Sequence, residues 1–349
     1  MTSPRRKRIL ITTAGFGDGH NSAARNLARA LEPRADILVT DPCAGGAPQL
    51  NNALRSGYRF ATTHWPWIWH RIYLSAENRD FSKPRIPMIR RVERHLHDTL
   101  LEFKPDLVAS TYPLYPYFLQ RSFQTGVPQC PVVTVITDSF NINAAWRNAP
   151  SDYWLVTDHG TRASLLEQDL PEGRVIETGF PVDPRFSTLS PIPADDPAKP
   201  FRVIYFPTSK MPTVRRISRA ILNHDSWPTE LTIVLGRNVR KLYKRAREVQ
   251  QAYPGRVRIK GWSKKVPELL CSHHLLVGKA GGATVHEALA ARCPMLIHHL
   301  VPGQEVGNLE LLRTIGGGDL ADTPESLAAA IRDLTADRAA LWRRQKRHL

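Results

Sequence analysis

The chain has 349 residues, 42% of them hydrophobic and 23% charged, which exceeds one small core and excludes wholesale disorder. Its 48 Lys and Arg against 32 Asp and Glu give a formal charge of +16, with 22 basic against 18 acidic side chains in residues 1–186 and 26 against 14 in residues 187–349. A basic surface of this kind attracts phosphate in any form, so nucleic acid, an anionic membrane and a nucleotide substrate all fit it.

From the start, Arg8–Thr13 reads as a strand, and Ala23, Ala24, Leu27, Ala28 and Leu31 then recur at helical spacing before a second strand at Asp36–Thr40. The apolar run Ile9–Ala14 is too short for a signal-peptide core. Later runs at Leu107–Ser110, Val132–Thr137, Tyr153–Thr157 and Val175–Thr178 alternate with helical or loop stretches, the mark of a parallel, doubly wound sheet. Ser187–Pro200 holds four prolines and few large apolar residues, and is expected to link two lobes. The alternation restarts with strands at Phe201–Phe206, Leu231–Leu235, Val257–Ile259, Leu275–Val277 and Met295–His298. The expected organisation is an N-terminal lobe over 1–186, a linker over 187–200, a C-terminal lobe over 201–334 and a basic terminal helix over 335–349. Two Rossmann-like α/β lobes in tandem would face a cleft with the carboxyl ends of their strands, where open sheets bind ligands. No run of about 18 apolar residues occurs, so no spanning helix is expected. Cys43, Cys130, Cys271 and Cys293 are scattered without a CxxC pair, which fits a reducing, cytoplasmic compartment and offers no zinc site.

Two glycine loops carry the chemistry. Gly15-Phe16-Gly17-Asp18-Gly19-His20 follows a strand and opens a helix, with Asn21 or Ser22 available as cap. Its glycines let the backbone approach a ligand closely and leave the helix start free for an anion, while His20 can take a proton from a hydroxyl. It is not the dinucleotide GxGxxG, because the third glycine comes one residue early. The second loop, Gly278-Lys279-Ala280-Gly281-Gly282-Ala283-Thr284-Val285-His286-Glu287, lacks the GK[ST] ending of a P-loop, so ATP hydrolysis is not expected. Its small residues can hold a diphosphate at a helix start, and Glu287 can accept hydrogen bonds from ribose hydroxyls. Pro302-Gly303-Gln304-Glu305-Val306-Gly307-Asn308 adds three polar side chains at a further loop-helix junction. There is no DxD metal motif, and Asp195-Asp196 lies in the linker, so no metal cofactor is expected.

In chain order, GFGDGHNSAA, KPDLVASTYP, VITDSFNINAAW, ETGFPVDPRF, LGRN, GW, VGKAGGATVHEALA and PGQEVGN resemble the segments of the monogalactosyldiacylglycerol synthase and processive diacylglycerol glucosyltransferase family, from about residue 9 to 320. The resemblance implies a GT-B glycosyltransferase that transfers glucose or galactose from a UDP-sugar to diacylglycerol with inversion. It further implies His20 as the base, Asp138 as a second candidate base or a partner that orients one, and Gly19 facing the donor phosphates. Gly281, Gly282 and Thr284 would meet the diphosphate, Glu287 the ribose, Gln304, Glu305 and Asn308 the sugar hydroxyls or a neighbouring phosphate, while Gly261-Trp262 would border the uracil and Asn238, at the end of a C-lobe strand, would join in donor binding. Three positions depart from the family pattern: Phe206-Pro207-Thr208-Ser209-Lys210 replaces a glycine-rich turn, Asn143 a histidine, and Phe16 a small residue.

His64-Trp65-Pro66-Trp67-Ile68-Trp69-His70 packs three tryptophans into five positions, with Arg79, Lys83, Arg85, Arg90, Arg91 and Arg94 following. Tryptophan prefers the lipid-water interface and nearby cations prefer anionic lipid, so this segment is expected to seat the protein on the inner face of the cell membrane. The bland alternative is that the tryptophans fill the core. A rival enzyme would move N-acetylglucosamine or another sugar to a different lipid, and a rival of another class would be a catalytically silent nucleotide-sugar or lipid-binding protein. No nucleic-acid-binding module is recognisable.

Overall fold

Short apolar runs separated by helix-forming stretches leave strands buried on both faces, and such strands assemble in parallel with helices as crossovers. In a computed structural model the chain does this twice. The structure describes residues 5–75, 81, 89–194, 196, 198–208, 211–224, 226–303 and 305–346. The first sheet contains β1 (Lys7–Thr12), β2 (Ala35–Thr40), β3 (Leu107–Ser110), β4 (Val132–Val135), β5 (Tyr153–Val156) and β6 (Val175–Glu177), in the order β2-β1-β3-β4-β5-β6. The second contains β7 (Phe201–Tyr205), β8 (Thr229–Val234), β9 (Val257–Lys260), β10 (Leu275–Lys279), β11 (Met295–His299) and β12 (Gly318–Leu320), in the order β12-β11-β10-β7-β8-β9. Every pairing is parallel, so in each sheet all strand carboxyl ends lie at one edge. The strand order reverses between β1 and β3 in the first sheet and between β7 and β10 in the second, and ligands of open α/β sheets bind at such switch points.

The described chain forms two compact units, Met1–Val182 with Pro302–Gly307, and Asp183–Val301 with Asn308–Leu349. In the first, Leu10, Leu96, Leu100, Val108 and Leu119 fill one side of the sheet, and Ile11, Ala24, Ala28, Ala109 and Val135 form a second cluster. In the second, Phe201, Tyr205, Trp227, Ile233 and Ile331 are fully buried, each such side chain contributing roughly 1.5 to 3 kcal/mol of transfer free energy. Trp227 is further held by its Nε1 donating to the Lys199 carbonyl at 2.8 Å and by the Arg338 guanidinium 4.1 Å from its ring.

The proline-rich stretch expected to link the lobes belongs to the second unit. The Ile192 N–H donates to the Cys271 carbonyl at 2.8 Å, and Ala194 is buried in that unit's core. The terminal helix Arg338–Lys346 is also part of that unit, with Leu341 in the core. Strand β12 has no counterpart in the sequence reading because Gly318-Asp319-Leu320 lacks an apolar run; its pairing with β11 defines it.

Three interior histidines make this unit acid-sensitive. His273 donates from Nδ1 to the Leu269 carbonyl at 2.6 Å and accepts at Nε2 from Thr232 Oγ1 at 2.9 Å. His274 accepts at Nδ1 from the Arg202 N–H at 2.9 Å and stacks on Phe201 at 5.5 Å, while His298 meets Tyr205 edge-on at 5.2 Å. Burial lowers each pKa to about 4. Between an unfolded value near 6.5 and that folded value the unfolded chain binds more protons, so stability is complete above about pH 6.5 and falls as pH drops toward 4. Each histidine can contribute up to roughly 3 kcal/mol to that loss. Calorimetric melting from pH 7.5 to 4.5 should show the midpoint falling steadily below pH 6.5, with a shallower slope in His273→Gln. A pH-independent midpoint would contradict this.

Candidate active site

The Gly15–His20 loop leaves β1 at the switch point of the first sheet. Gly17 has φ of +94°, a conformation costly for any other residue, and this early turn starts the helix Asp18–Leu31 ahead of both available caps, Asn21 and Ser22. Gly17 therefore stands at the N-cap without a side-chain cap, and Asn21 is used otherwise, its Oδ1 accepting from Thr13 Oγ1 at 3.0 Å. Gly19 and His20 lie in the first helical turn, where backbone N–H groups have no intrahelical partner.

His20 is 8% exposed. Its Nδ1 lies 3.0 Å from Thr137 Oγ1 beyond β4, and its carbonyl accepts from Thr111 Oγ1, beyond β3, at 3.2 Å. Its ring meets Tyr112 edge-on at 5.3 Å and Trp146 at 5.8 Å. Burial, partly offset by a hydrogen bond between the ring and the Thr111 backbone, lowers its pKa to about 4, so the imidazole is neutral at pH 7. In the tautomer whose Nδ1–H donates to Thr137, the lone pair able to take a proton is on Nε2.

Asp138 follows Thr137 and accepts from Trp146 Nε1 at 3.1 Å, so it holds one of the rings against His20. Asn143 caps the short helix Ala144–Arg147, its side chain accepting from the Ala145 N–H at 3.0 Å. Phe16 lies 5.5 Å from Tyr112 and packs on the cluster of Ala14, Cys43 and Tyr115. Asp41, absent from the sequence reading, ties this region together. Its carboxylate accepts from the Gly15 N–H at 3.0 Å, the Ala44 N–H at 3.0 Å and Tyr115 OH at 3.3 Å. The only sequence signal for it is its place directly after β2.

In the second unit, the parallel sheet brings four loops to one edge. Gly281 is the N-cap of the helix Gly282–Ala290, without a side-chain cap bond; Thr284 lies in its first turn and Glu287 farther along, both half-buried. Asn238 is exposed at the end of the turn Gly236–Asn238 after β8, and Trp262, 56% exposed, follows β9. Phe206, Pro207 and Thr208 follow β7 at the same edge, while Ser209 and Lys210 lie outside the described residues.

The Pro302–Asn308 segment divides. Gln304 lies outside the described residues. Glu305 is buried in the first unit with Gly307, whose Cα approaches so closely that an added Cβ would lie 1.7 Å from the Ser139 carbonyl oxygen. Asn308 belongs to the second unit, is 1% exposed, and donates from Nδ2 to the Ala280 carbonyl at 3.0 Å, bracing the second glycine loop. Its Oδ1 is buried with no hydrogen-bond partner among the described residues.

The tryptophan segment forms the end of the helix Pro48–His64 and the following helix Pro66–Ser75. Trp65 is 50% and Trp67 62% exposed, and Leu54, Phe60, Ile72 and Leu74 are exposed on the same two helices. Core filling is therefore not their role. Trp69 sits in the second helix with its side chain outside the described set, as are Arg79, Lys83 and Arg85 entirely; Arg90, Arg91 and Arg94 are exposed on the helix Ile89–Phe103. No described helix is long and apolar enough to cross a membrane.

The sequence profile of the family described as monogalactosyldiacylglycerol (MGDG) synthase matches residues 20–182, which lie in the first unit and begin at His20. Over 96% of this chain and 86% of its own length, the processive diacylglycerol beta-glucosyltransferase of Staphylococcus carnosus (strain TM300) is 27% identical. The chain is thus similar to diacylglycerol glycosyltransferases over most of its length. A probable chloroplastic monogalactosyldiacylglycerol synthase of Glycine max is 24% identical over 93% of this chain and 64% of its own. Among solved structures, Acinetobacter baumannii MurG superposes with a TM-score of 0.63 at 16% identity, covering 98% of this chain and 94% of that one. Arabidopsis thaliana UGT89C1 complexed with UDP-L-rhamnose gives 0.62 at 10% identity over 98% and 94%. The fold of the chain is GT-B.

Proposed function

We propose that the protein transfers a hexose, glucose or galactose, from a UDP-sugar to the hydroxyl of diacylglycerol, with inversion at the anomeric carbon. The observation that carries this reading is the buried, neutral His20 at the switch point of the first sheet, held by Thr137 and flanked by Tyr112 and Trp146. Nε2 of His20 takes the acceptor proton as the oxygen attacks the anomeric carbon; the bond to the diphosphate breaks, and its electron pair leaves with UDP. Negative charge grows on that leaving group, so the Gly281-Gly282 helix start, Thr284 and the backbone around Gly19 are assigned to meet it, in a scheme that requires no metal. Glu287 is assigned to the ribose hydroxyls, Trp262 to the uracil, Asn238 to donor binding, and Gln304 and Glu305 to the sugar. Asn308 serves this site by bracing Ala280.

The exposed Trp65 and Trp67, with Trp69 and the basic Arg85, Arg90 and Arg91 that follow in the sequence, support a peripheral seat on the anionic inner face of the cell membrane, where diacylglycerol resides. Incubation with a panel of radiolabelled UDP-sugars and vesicles containing diacylglycerol tests the reading. Label is expected in the organic phase with UDP-glucose or UDP-galactose; label only with UDP-N-acetylglucosamine, or only with another lipid acceptor, would replace it.

Donor binding should depend on Glu287. A carboxylate bridging a ribose diol makes charge-assisted hydrogen bonds worth about 1.5 to 3 kcal/mol. Calorimetric titration of UDP into Glu287→Gln should therefore show affinity about tenfold to a hundredfold weaker than in the wild type. Equal affinities would remove the ribose assignment.

A further inference from the structure

The helix Pro48–His64 delivers a guanidinium to the glycine loop of the first unit. A Cβ built on Gly15 would meet Arg55 Cδ and Nε at 3.1 Å and Cζ at 3.2 Å, so the charged end of the side chain lies against the backbone leading to His20. Arg55 is half-buried, and among the described residues it has no hydrogen-bond or ion-pair partner. The carboxylate that also touches Gly15, Asp41, is occupied by the Gly15 and Ala44 N–H groups and Tyr115 OH. A guanidinium keeps its charge at every working pH, and withdrawing it from water without a partner is costly. The loop beside it is open, since a Cβ at Gly17 or Gly19 would meet nothing within 4 Å.

We propose that Arg55 is a phosphate-binding residue of this site, its planar fork taking two oxygens of a phosphate group brought to the Gly15–His20 loop. This rests on the transferase reading above, whose reaction offers two sources of that chemistry: the diphosphate of the UDP-sugar and the phosphodiester of an anionic phospholipid. Gly15 is part of the arrangement, because a Cβ there would press on the guanidinium and make it give by a few tenths of an ångström.

The test uses Arg55→Met, which keeps an apolar stem on Gly15 and removes the charge, Arg55→Lys, which keeps the charge and loses the fork, and Arg59→Met, an exposed arginine one turn along the same helix, as control. UDP is titrated by calorimetry, and sedimentation is measured with phosphatidylcholine vesicles with and without phosphatidylglycerol. Arg55→Met is expected to weaken binding of at least one probe, UDP or the phosphatidylglycerol vesicles, about tenfold or more, with Arg55→Lys between it and the wild type and Arg59→Met within twofold of the wild type. The probe that responds identifies the source of the phosphate. Wild-type affinity for both probes in Arg55→Met, or an equal loss in Arg59→Met, would overturn the proposal. Should Arg55→Met fail to fold, Arg55→Lys decides alone, and wild-type binding of both probes by it overturns the proposal. Both readouts are equilibrium binding, so they stand whether or not sugar transfer is detected, and failure of the transferase reading is seen separately in the product assay.

Discussion

His20→Ala is expected to lower kcat on diacylglycerol by about 100- to 10,000-fold, the usual contribution of a positioned general base, while UDP affinity stays within about twofold. A lipid hydroxyl is a weak nucleophile until its proton is taken in the transition state, and His20 is the neutral imidazole at the carboxyl edge of the first sheet. With its pKa lowered to about 4 by burial, the base form persists to low pH, so kcat/KM should stay level from about pH 8 to 6 and fall only as the imidazole protonates below about pH 5. Asp138→Asn is the informative partner variant. It retains an oxygen to accept from Trp146 Nε1, so it should keep turnover within about tenfold of the wild type. Near wild-type turnover in His20→Ala, with abolition in Asp138→Asn, would exchange the two roles.

Membrane binding should fall about 30-fold when Trp65 and Trp67 are both changed to Ala. Full burial of a large apolar side chain contributes about 1.5 to 3 kcal/mol, and each of these rings already hides about half of its surface, which leaves roughly 1 kcal/mol apiece to be gained at the interface. Vesicle sedimentation checks this, with a melting curve to confirm that the helices Pro48–His64 and Pro66–Ser75 remain intact. Anionic lipid should strengthen binding of the wild type, and added salt should weaken it, because arginines act on a charged surface through a screened field. If neither lipid charge nor the tryptophans alters pelleting, the exposed aromatics serve another partner.

The sheets were readable because their strands are apolar runs bounded by glycine, proline and polar residues; eleven of the described strands coincide with such runs to within about two residues. β12 was not, since a three-residue Gly-Asp-Leu strand owes its existence to β11 alone. Local rules also misplaced the start of the helix Asp18–Leu31: a side-chain cap at Asn21 was available, yet Gly17 made an earlier turn possible and freed Asn21 for Thr13. The motifs located the polar groups of the site but not their partners. Thr111, Thr137, Asp41 and Arg55 reach His20 or its loop from separate strands and a separate helix, and nothing in their spacing along the chain encodes that convergence. Asn308 illustrates the same limit, a polar residue at a loop-helix junction whose amide turns inward to Ala280. Trp65 and Trp67 lay between interface and core on composition, and their exposure speaks against the core.

The most direct measurement is product identification after the purified protein is incubated with UDP-glucose or UDP-galactose and vesicles of phosphatidylglycerol and diacylglycerol. The lipid fraction should contain a hexosyl-diacylglycerol of β configuration, formed mole for mole with UDP and at least about 100-fold more slowly by His20→Ala. A product of α configuration, or UDP release without any glycosylated diacylglycerol, would contradict inverting transfer to this acceptor.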